Sequence, residues 1–293
     1  MSKELRYLFF PGCFTASKET TYEVSARKVA EALGVELIEF KGANCCGFLM
    51  DAVDHLSASV LAARNISLAE SEGLDILTLC PACFGHMTKV KVEIEKNKRF
   101  KQEVNDILKS IGREVKGEVR ILHFTKMLLE DYGLEELKKR IVKPLDKIRV
   151  APQYGCHIMK PTDYLGFDNP DNPEKLDSLV RITGVKCLDY DEKDECCGGL
   201  VTSVDLDLAL ALARNKLMSV SKAGADAIIT ICPFCHMQLD LNQIIVERKY
   251  SEHYRIPSLH YTQLLGLSLG LDAKELAINR NRIPADKLLS LIE

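Results

Sequence analysis

Along the whole chain, short apolar runs alternate with longer stretches of helical periodicity. Leu5–Phe10 (LRYLFF) is a continuous apolar run and predicts a buried strand that ends at Pro11-Gly12. The next stretch carries Val24, Val29 and Leu33 at helical spacing and stops at Gly34, with Thr15 or Ser17 as its expected cap. Residues 35–40 read as a second strand, 51–72 as a long amphipathic helix closed by Gly73, and 76–79 as a third strand. Residues 84–117 are lysine-rich with a helical pattern and predict a solvated helix. A fourth strand over 119–124 and helices through Glu130 and Lys138 lead to Lys143-Pro144.

The order then begins again. Residues 148–151, 185–188 and 227–231 read as strands, and Leu206–Ala223 as the long helix. Ala63-Arg64-Asn65 is echoed by Ala213-Arg214-Asn215, and His123-Phe-Thr125 by His260-Tyr-Thr262. Likeness over a whole unit implies duplication. The expected fold is α/β: two tandem parallel-sheet domains, 1–145 and 146–293, related by a pseudo-two-fold axis. Residues 160–177 are rich in Pro, Asp and Asn and have no counterpart after Cys13, so they read as an insertion. The tail from Leu267 reads as two short helices split at Pro284.

Cysteines mark the same places in both units. Each predicted first strand runs into a lone cysteine (Cys13, Cys156). Each second strand precedes an adjacent pair (Cys45-Cys46-Gly, Cys196-Cys197-Gly), and each third strand ends at Cys-Pro-x-Cys (Cys80 and Cys83, Cys232 and Cys235). The lone cysteine and the pair are separated by 31 residues in one unit and 39 in the other; the pair and Cys-Pro-x-Cys by 33 and 34. Ligands collect outside the carboxyl ends of parallel strands, so five thiols per unit are expected to meet. Four thiolates complete a zinc site or a cubane cluster, and the fifth asks for something larger or less symmetric. Cys187 has no repeat partner and reads as a core thiol.

Composition narrows the chemistry. Eleven cysteines without a signal-peptide pattern or an apolar run of membrane length point to a soluble, cytoplasmic chain and to metal or redox work rather than disulfides. A net charge of -3 gives no polybasic footprint for nucleic acid or an anionic membrane. Neither a ferredoxin-type cysteine run nor Gly-x-Gly-x-x-Gly occurs, so electrons would arrive from partner proteins of the same complex.

Two Cys...Cys-Cys-Gly...Cys-Pro-x-Cys units resemble the cysteine-rich CCG-domain family that includes the B subunit of heterodisulfide reductase from methanogenic archaea. The likeness covers nearly the whole chain, with a slightly shorter interval downstream of the adjacent pair. The resemblance implies that Cys13, Cys45, Cys46, Cys80 and Cys83 hold one noncubane 4Fe-4S cluster. It assigns a second to Cys156, Cys196, Cys197, Cys232 and Cys235, with reduction of the coenzyme M–coenzyme B disulfide in methanogenesis at the pair. The implied partners are a ferredoxin-like C subunit and an electron-bifurcating, flavin-carrying A subunit, with hydrogenase or formate dehydrogenase upstream. An electron-transfer subunit of lactate, glycolate or succinate oxidation, or of a complex serving another disulfide, is a second reading. A zinc-binding scaffold is a third. The implied substrate is anionic, which makes Lys41, Arg64, His157, Lys160, Arg214 and His236 candidate clamps by their position near the cysteine loops.

Overall fold

The computed structural model describes residues 4–292. It contains two four-stranded, all-parallel sheets. The first has the order β2-β1-β3-β4, from β1 (Leu5–Phe10), β2 (Val35–Glu39), β3 (Ile76–Thr78) and β4 (Ile121–His123). The second has the order β6-β5-β7-β8, from β5 (Arg149–Gln153), β6 (Lys186–Cys187), β7 (Ala227–Thr230) and β8 (Ser258–His260). The expected α/β class and parallel sheets are present. The order in which strands are added to each sheet reverses between its first and third strand, the place where such sheets open a crevice for ligands. Cys13 follows β1 and Cys80 follows β3; Cys156 follows β5 and Cys232 follows β7.

Local chemistry moves several predicted boundaries. The long first-half helix begins at His55, because the Asp54 side chain caps it by accepting from the Ser57 N–H at 3.1 Å. A 3-10 turn over Phe48–Met50 fills the gap before it. Neither Thr15 nor Ser17 caps helix Thr20–Leu33; both lie in a short helix, Cys13–Ser17, and the cap position is Glu19, whose side chain makes no cap bond. The lysine-rich segment is not one solvated helix. It breaks at Asn97 into Pro81–Lys96 and Lys98–Leu108, where the Asn97 carboxamide accepts from the Phe100 N–H. Val90, Ile94, Phe100, Val104 and Leu108 are buried along its inner face.

The halves share a core. Buried side chains from Tyr7 to Ile292 form one continuous apolar cluster. Tyr22 donates to the Ile231 carbonyl at 3.2 Å, and the Ser25 and Thr262 hydroxyls lie 2.6 Å apart, so helix Thr20–Leu33 is bolted to the second half. Within the second half, Tyr261 donates to the Leu179 carbonyl beneath helix Tyr261–Ser268. Tail residues Leu276, Ile278, Leu288 and Ile292 pack on this cluster, with a 3-10 turn at Ile278–Arg280 and a helix at Asp286–Ile292.

Candidate metal centre

The adjacent-cysteine loops are built alike. Gly47 has φ 89°, and a Cβ there would lie 2.3 Å from the Ala58 carbonyl oxygen. Gly198 has φ 80° and would meet the Ala209 carbonyl oxygen at 2.7 Å. The glycine of Cys-Cys-Gly is thus required twice over, by backbone conformation and by contact with the following helix. In the first half the loop is also held by side chains. Asn65 accepts from the Asn44 N–H at 2.9 Å and donates to its carbonyl at 3.0 Å, while Arg64 Nη1 donates to the Gly42 carbonyl at 2.8 Å and to Asn44 Oδ1 at 2.6 Å.

These supports converge the thiols. Cys46, Cys80 and Cys83 are buried, whereas Cys13 and Cys45 are exposed. Cys46 is held far below the ordinary thiol range, at about 3, by hydrogen bonds from Cys45 and then Cys83. Cys83 interacts in turn with Cys80, and Cys45 with Cys13. A Cβ on Gly12 would lie 3.2 Å from Cys83 Sγ and 3.3 Å from Cys80 Cβ, so the backbone before Cys13 packs directly on Cys-Pro-x-Cys. In the second half Cys197 Sγ lies 3.2 Å from Cys235 Sγ. Cys196 is held at about 2 by hydrogen bonds from Cys156 and then Cys197. Cys80 and Cys232 sit at the N-cap of helices Pro81–Lys96 and Pro233–Leu239, and a hydrogen bond from Cys235 lowers the Cys232 pKa. All ten are free thiols. Soft thiol donors gathered at strand ends and helix starts, partly buried and partly open, fit an iron-sulfur group.

The two sets approach each other at the seam. A Cβ on Gly155, beside Cys156, would meet Pro81 Cγ at 3.1 Å and Cys232 Cβ at 3.3 Å. Phe14 stacks on Phe234, and Phe48 meets His157 edge-on at 4.8 Å.

Of the six candidate clamps, His157 lies at a cysteine, its Nδ1 3.1 Å from Cys156 Sγ. Arg64 supports the Cys45 loop, as above. Arg214 is paired with Glu252 and lies over the Tyr250 ring. His236 is buried between Glu19 and the Ser258 carbonyl. Lys41 and Lys160 are exposed, the latter before a cis proline, Pro161. Cys187 stands apart at the end of β6: its thiol donates to Asp177 at 3.1 Å and is pushed up to about 12 by burial and that carboxylate.

Glu19 and Lys216 carried no sequence signal and matter here. Glu19 Oε2 lies 2.7 Å from His236 Nδ1 and 3.5 Å from His260 Nε2. Burial pushes the Glu19 carboxyl up, but the two imidazoles outweigh it and hold it at about 2. The three side chains have ligand atoms within 4.8 Å of one another. The two rings nevertheless stack at 4.0 Å and 22°, so their in-plane lone pairs do not converge on one ion. The group is a buried ion pair across the seam, one residue from Cys235.

A chain with two parallel sheets, each followed by the same run of cysteine motifs, is a duplicated cysteine-rich domain protein. It belongs to the cysteine-rich CCG domain family, whose pattern matches residues 7–88 and 150–240. It is 37% identical over 287 residues to the B subunit of the ferredoxin:CoB-CoM heterodisulfide reductase of Methanosarcina mazei, covering 97% of this chain and 95% of that one. It is 34% identical to the 8-methylmenaquinol:fumarate reductase membrane anchor subunit of Wolinella succinogenes, covering 98% and 100%. A protein of Archaeoglobus profundus, described as similar to the heterodisulfide reductase B subunit, is 33% identical over 93% of each chain. A crystal structure of a hypothetical protein from Helicobacter pylori superposes with a TM-score of 0.77 at 14% identity, over 96% of this chain and 52% of that one, which is a likeness of fold alone. No helix among the described residues is long and apolar enough to cross a membrane.

Proposed function

We propose that the chain is the disulfide-reducing iron-sulfur component of a reductase complex. Cys13, Cys45, Cys46, Cys80 and Cys83 would hold one noncubane 4Fe-4S cluster, and Cys156, Cys196, Cys197, Cys232 and Cys235 a second, with the two units related by a pseudo-two-fold axis. The observation that carries this reading is that both sets are complete and meet across one seam. When bound, the clusters supply one electron each to a substrate disulfide, which with two protons leaves as two thiols. The substrate is a mixed disulfide with anionic ends, that of coenzyme M and coenzyme B. Lys41 and Lys160 are exposed and able to meet those ends, and His157 stands beside Cys156, while Arg64, Arg214 and His236 keep their protein partners. Electrons come from a ferredoxin-like partner and, behind it, a flavoprotein of the same complex. The aromatic contacts Phe14–Phe234 and Phe48–His157 close the seam beside the cysteines.

Similarity to the fumarate reductase component favours a second reading, in which the same two clusters only relay electrons. Anaerobic iron, sulfide and zinc analysis, with EPR before and after addition of the coenzyme M–coenzyme B disulfide, separates the two. About eight irons per chain and a new substrate-dependent signal support disulfide reduction. Eight irons without a response leave the relay, and zinc without iron ends both.

A further inference from the structure

The helices behind the two adjacent-cysteine loops superimpose in register. His55–Glu72 and Leu206–Ala223 are each 18 residues long, start at Asp54 and Asp205 caps of the same conformation, and end at left-handed Gly73 and Gly224. Gly47 packs on Ala58 as Gly198 packs on Ala209. Every one of these pairs is 151 positions apart. That register sets Asn65 against Lys216, both fully buried.

The two residues do the same mechanical task. Asn65 reaches from its helix to the backbone of Asn44, just before Cys45. Lys216 reaches from its helix to the Glu192 carbonyl, in the loop before Cys196, and lies 5.7 Å from the Tyr190 ring centroid. One clamp is a neutral amide and the other an ionisable amine. No carboxylate among the described residues lies within ion-pair distance of the Lys216 ammonium. Burial lowers the Lys216 pKa, and the Cys197 and Cys235 thiols, then Glu192 and Asp194, oppose it from within Coulombic range and favour the ammonium. In the first half His86 takes the place of Gln238, each bonding to the equivalent carbonyl, of Ala58 and Ala209. Burial keeps His86 uncharged, and the nearby Asp51 is matched by Lys89.

We propose that Lys216 makes the two clusters unequal: its buried charge stabilises the more negative, reduced state of the cluster held by Cys156, Cys196, Cys197, Cys232 and Cys235. The first set is then the weaker electron acceptor, and an electron entering the pair resides on the second. A positive charge in a low-dielectric site favours whatever adds negative charge beside it. This rests on the reading that both sets hold iron-sulfur clusters.

The test is an anaerobic, EPR-monitored redox titration of the iron-replete protein and of Lys216→Asn, which installs the first half's amide, and Lys216→Arg, which keeps the charge. Lys216→Asn is expected to lower one of the two potentials, shifting the partition of an electron between the clusters about tenfold, or 59 mV for one electron. Lys216→Arg leaves both potentials in place. Unchanged potentials in an iron-replete Lys216→Asn protein overturn the proposal, as do equal shifts in both variants, which would make packing the cause. Lys216→Gln, with a longer reach, replaces the asparagine variant if that one loses iron. Loss of iron in both amide variants also counts against the proposal, because the residue is then a clamp alone. Zinc in place of iron in the parent protein would sink the cluster reading itself, whereas a missing response to the disulfide leaves the potentials measurable.

Discussion

The Phe14 ring stacks on the Phe234 ring across the seam, with centroids 4.2 Å apart and planes at 18°. Phe14 follows Cys13, and Phe234 is the variable residue of the second Cys-Pro-x-Cys. At the equivalent place in the first half stands Ala82, and the bulk comes instead from Phe48, which meets His157 beside Cys156. The exchange is reciprocal. Gly199 occupies the position equivalent to Phe48, and a Cβ there would meet the Phe234 backbone at 2.9 Å. Each half therefore contributes one aromatic, from a different loop, to cover the cysteines of the other.

Phe14→Ala removes one face of that stack. Phe14 is half-buried, so the expected loss is about 1–2 kcal/mol rather than the 3–5 of a core phenylalanine. Phe14→Leu should recover most of it. Urea unfolding of the iron-free chain measures the stability, and iron content after brief air exposure reports the seam. An alanine variant as stable and as air-resistant as the parent would refute the role given to the stack.

Gly47→Ala is expected to cost about 3 kcal/mol or more, since it combines a left-handed φ with a 2.3 Å approach to the Ala58 carbonyl. Gly34→Ala provides the contrast. Its φ is 73°, but nothing lies within 4 Å of the added carbon, so only the conformational penalty of about 1 kcal/mol remains. Similar unfolding midpoints for the two variants would show that the loop can yield.

Seven of the eight described strands and the ten repeated thiols were legible in the sequence, because apolar runs and cysteine spacing are local signals; β8 (Ser258–His260) was missed, being only three residues with a Ser and a His. Register within the repeat was not. Ala63-Arg64-Asn65 and Ala213-Arg214-Asn215 look like equivalents, yet the caps and glycine contacts place Ala63 opposite Arg214 and Asn65 opposite Lys216. The identity is one residue out, so the arginines occupy different positions: Arg64 holds the Cys45 loop and Arg214 pairs with Glu252. The glycines ending both helices carried the true offset. Glu19 was illegible for another reason, since its partners His236 and His260 lie more than 200 positions away. The Asn97 break escaped because charge masked an amphipathic face whose apolar residues pack inward.

Acid should destabilise the iron-free fold well before its carboxylates titrate. Burial keeps His123 neutral, at about 4, with Nε2 donating to the Leu79 carbonyl at 3.0 Å. Burial and then the charge of His236 keep His260 at about 3. Both lie below the ordinary 6.5, so as pH falls below 6.5 the unfolded chain takes up protons that the fold refuses, and stability drops. Each histidine contributes on the order of 3 kcal/mol by pH 4. Glu19 adds its loss from 4.5 down to about 2. His236 is raised and works oppositely, its contribution present below 6.5 and lost as pH rises through its folded value. Two depressed imidazoles outweigh one raised. Urea midpoints between pH 7.5 and 4.5 should fall, with a shallower slope in His123→Gln; a flat or rising profile would contradict the assignment.

Asn65→Ala should damage one metal set and spare the other. The substitution strips the Asn44 N–H and carbonyl of their partners in a half-buried loop, at a cost of about 1–3 kcal/mol. That cost falls on the backbone that aims Cys45 and Cys46, and no Asn65 bond among the described residues crosses into the second half. Iron is therefore expected to drop from about eight to about four per chain, with one of the two EPR signals retained. Arg214→Ala is the comparison on the other helix. It breaks an ion pair open to solvent, which contributes little to stability, and leaves iron unchanged. Iron analysis of the two anaerobically purified variants decides the point, since equal losses from both sets in Asn65→Ala would mean that the clusters are not held independently.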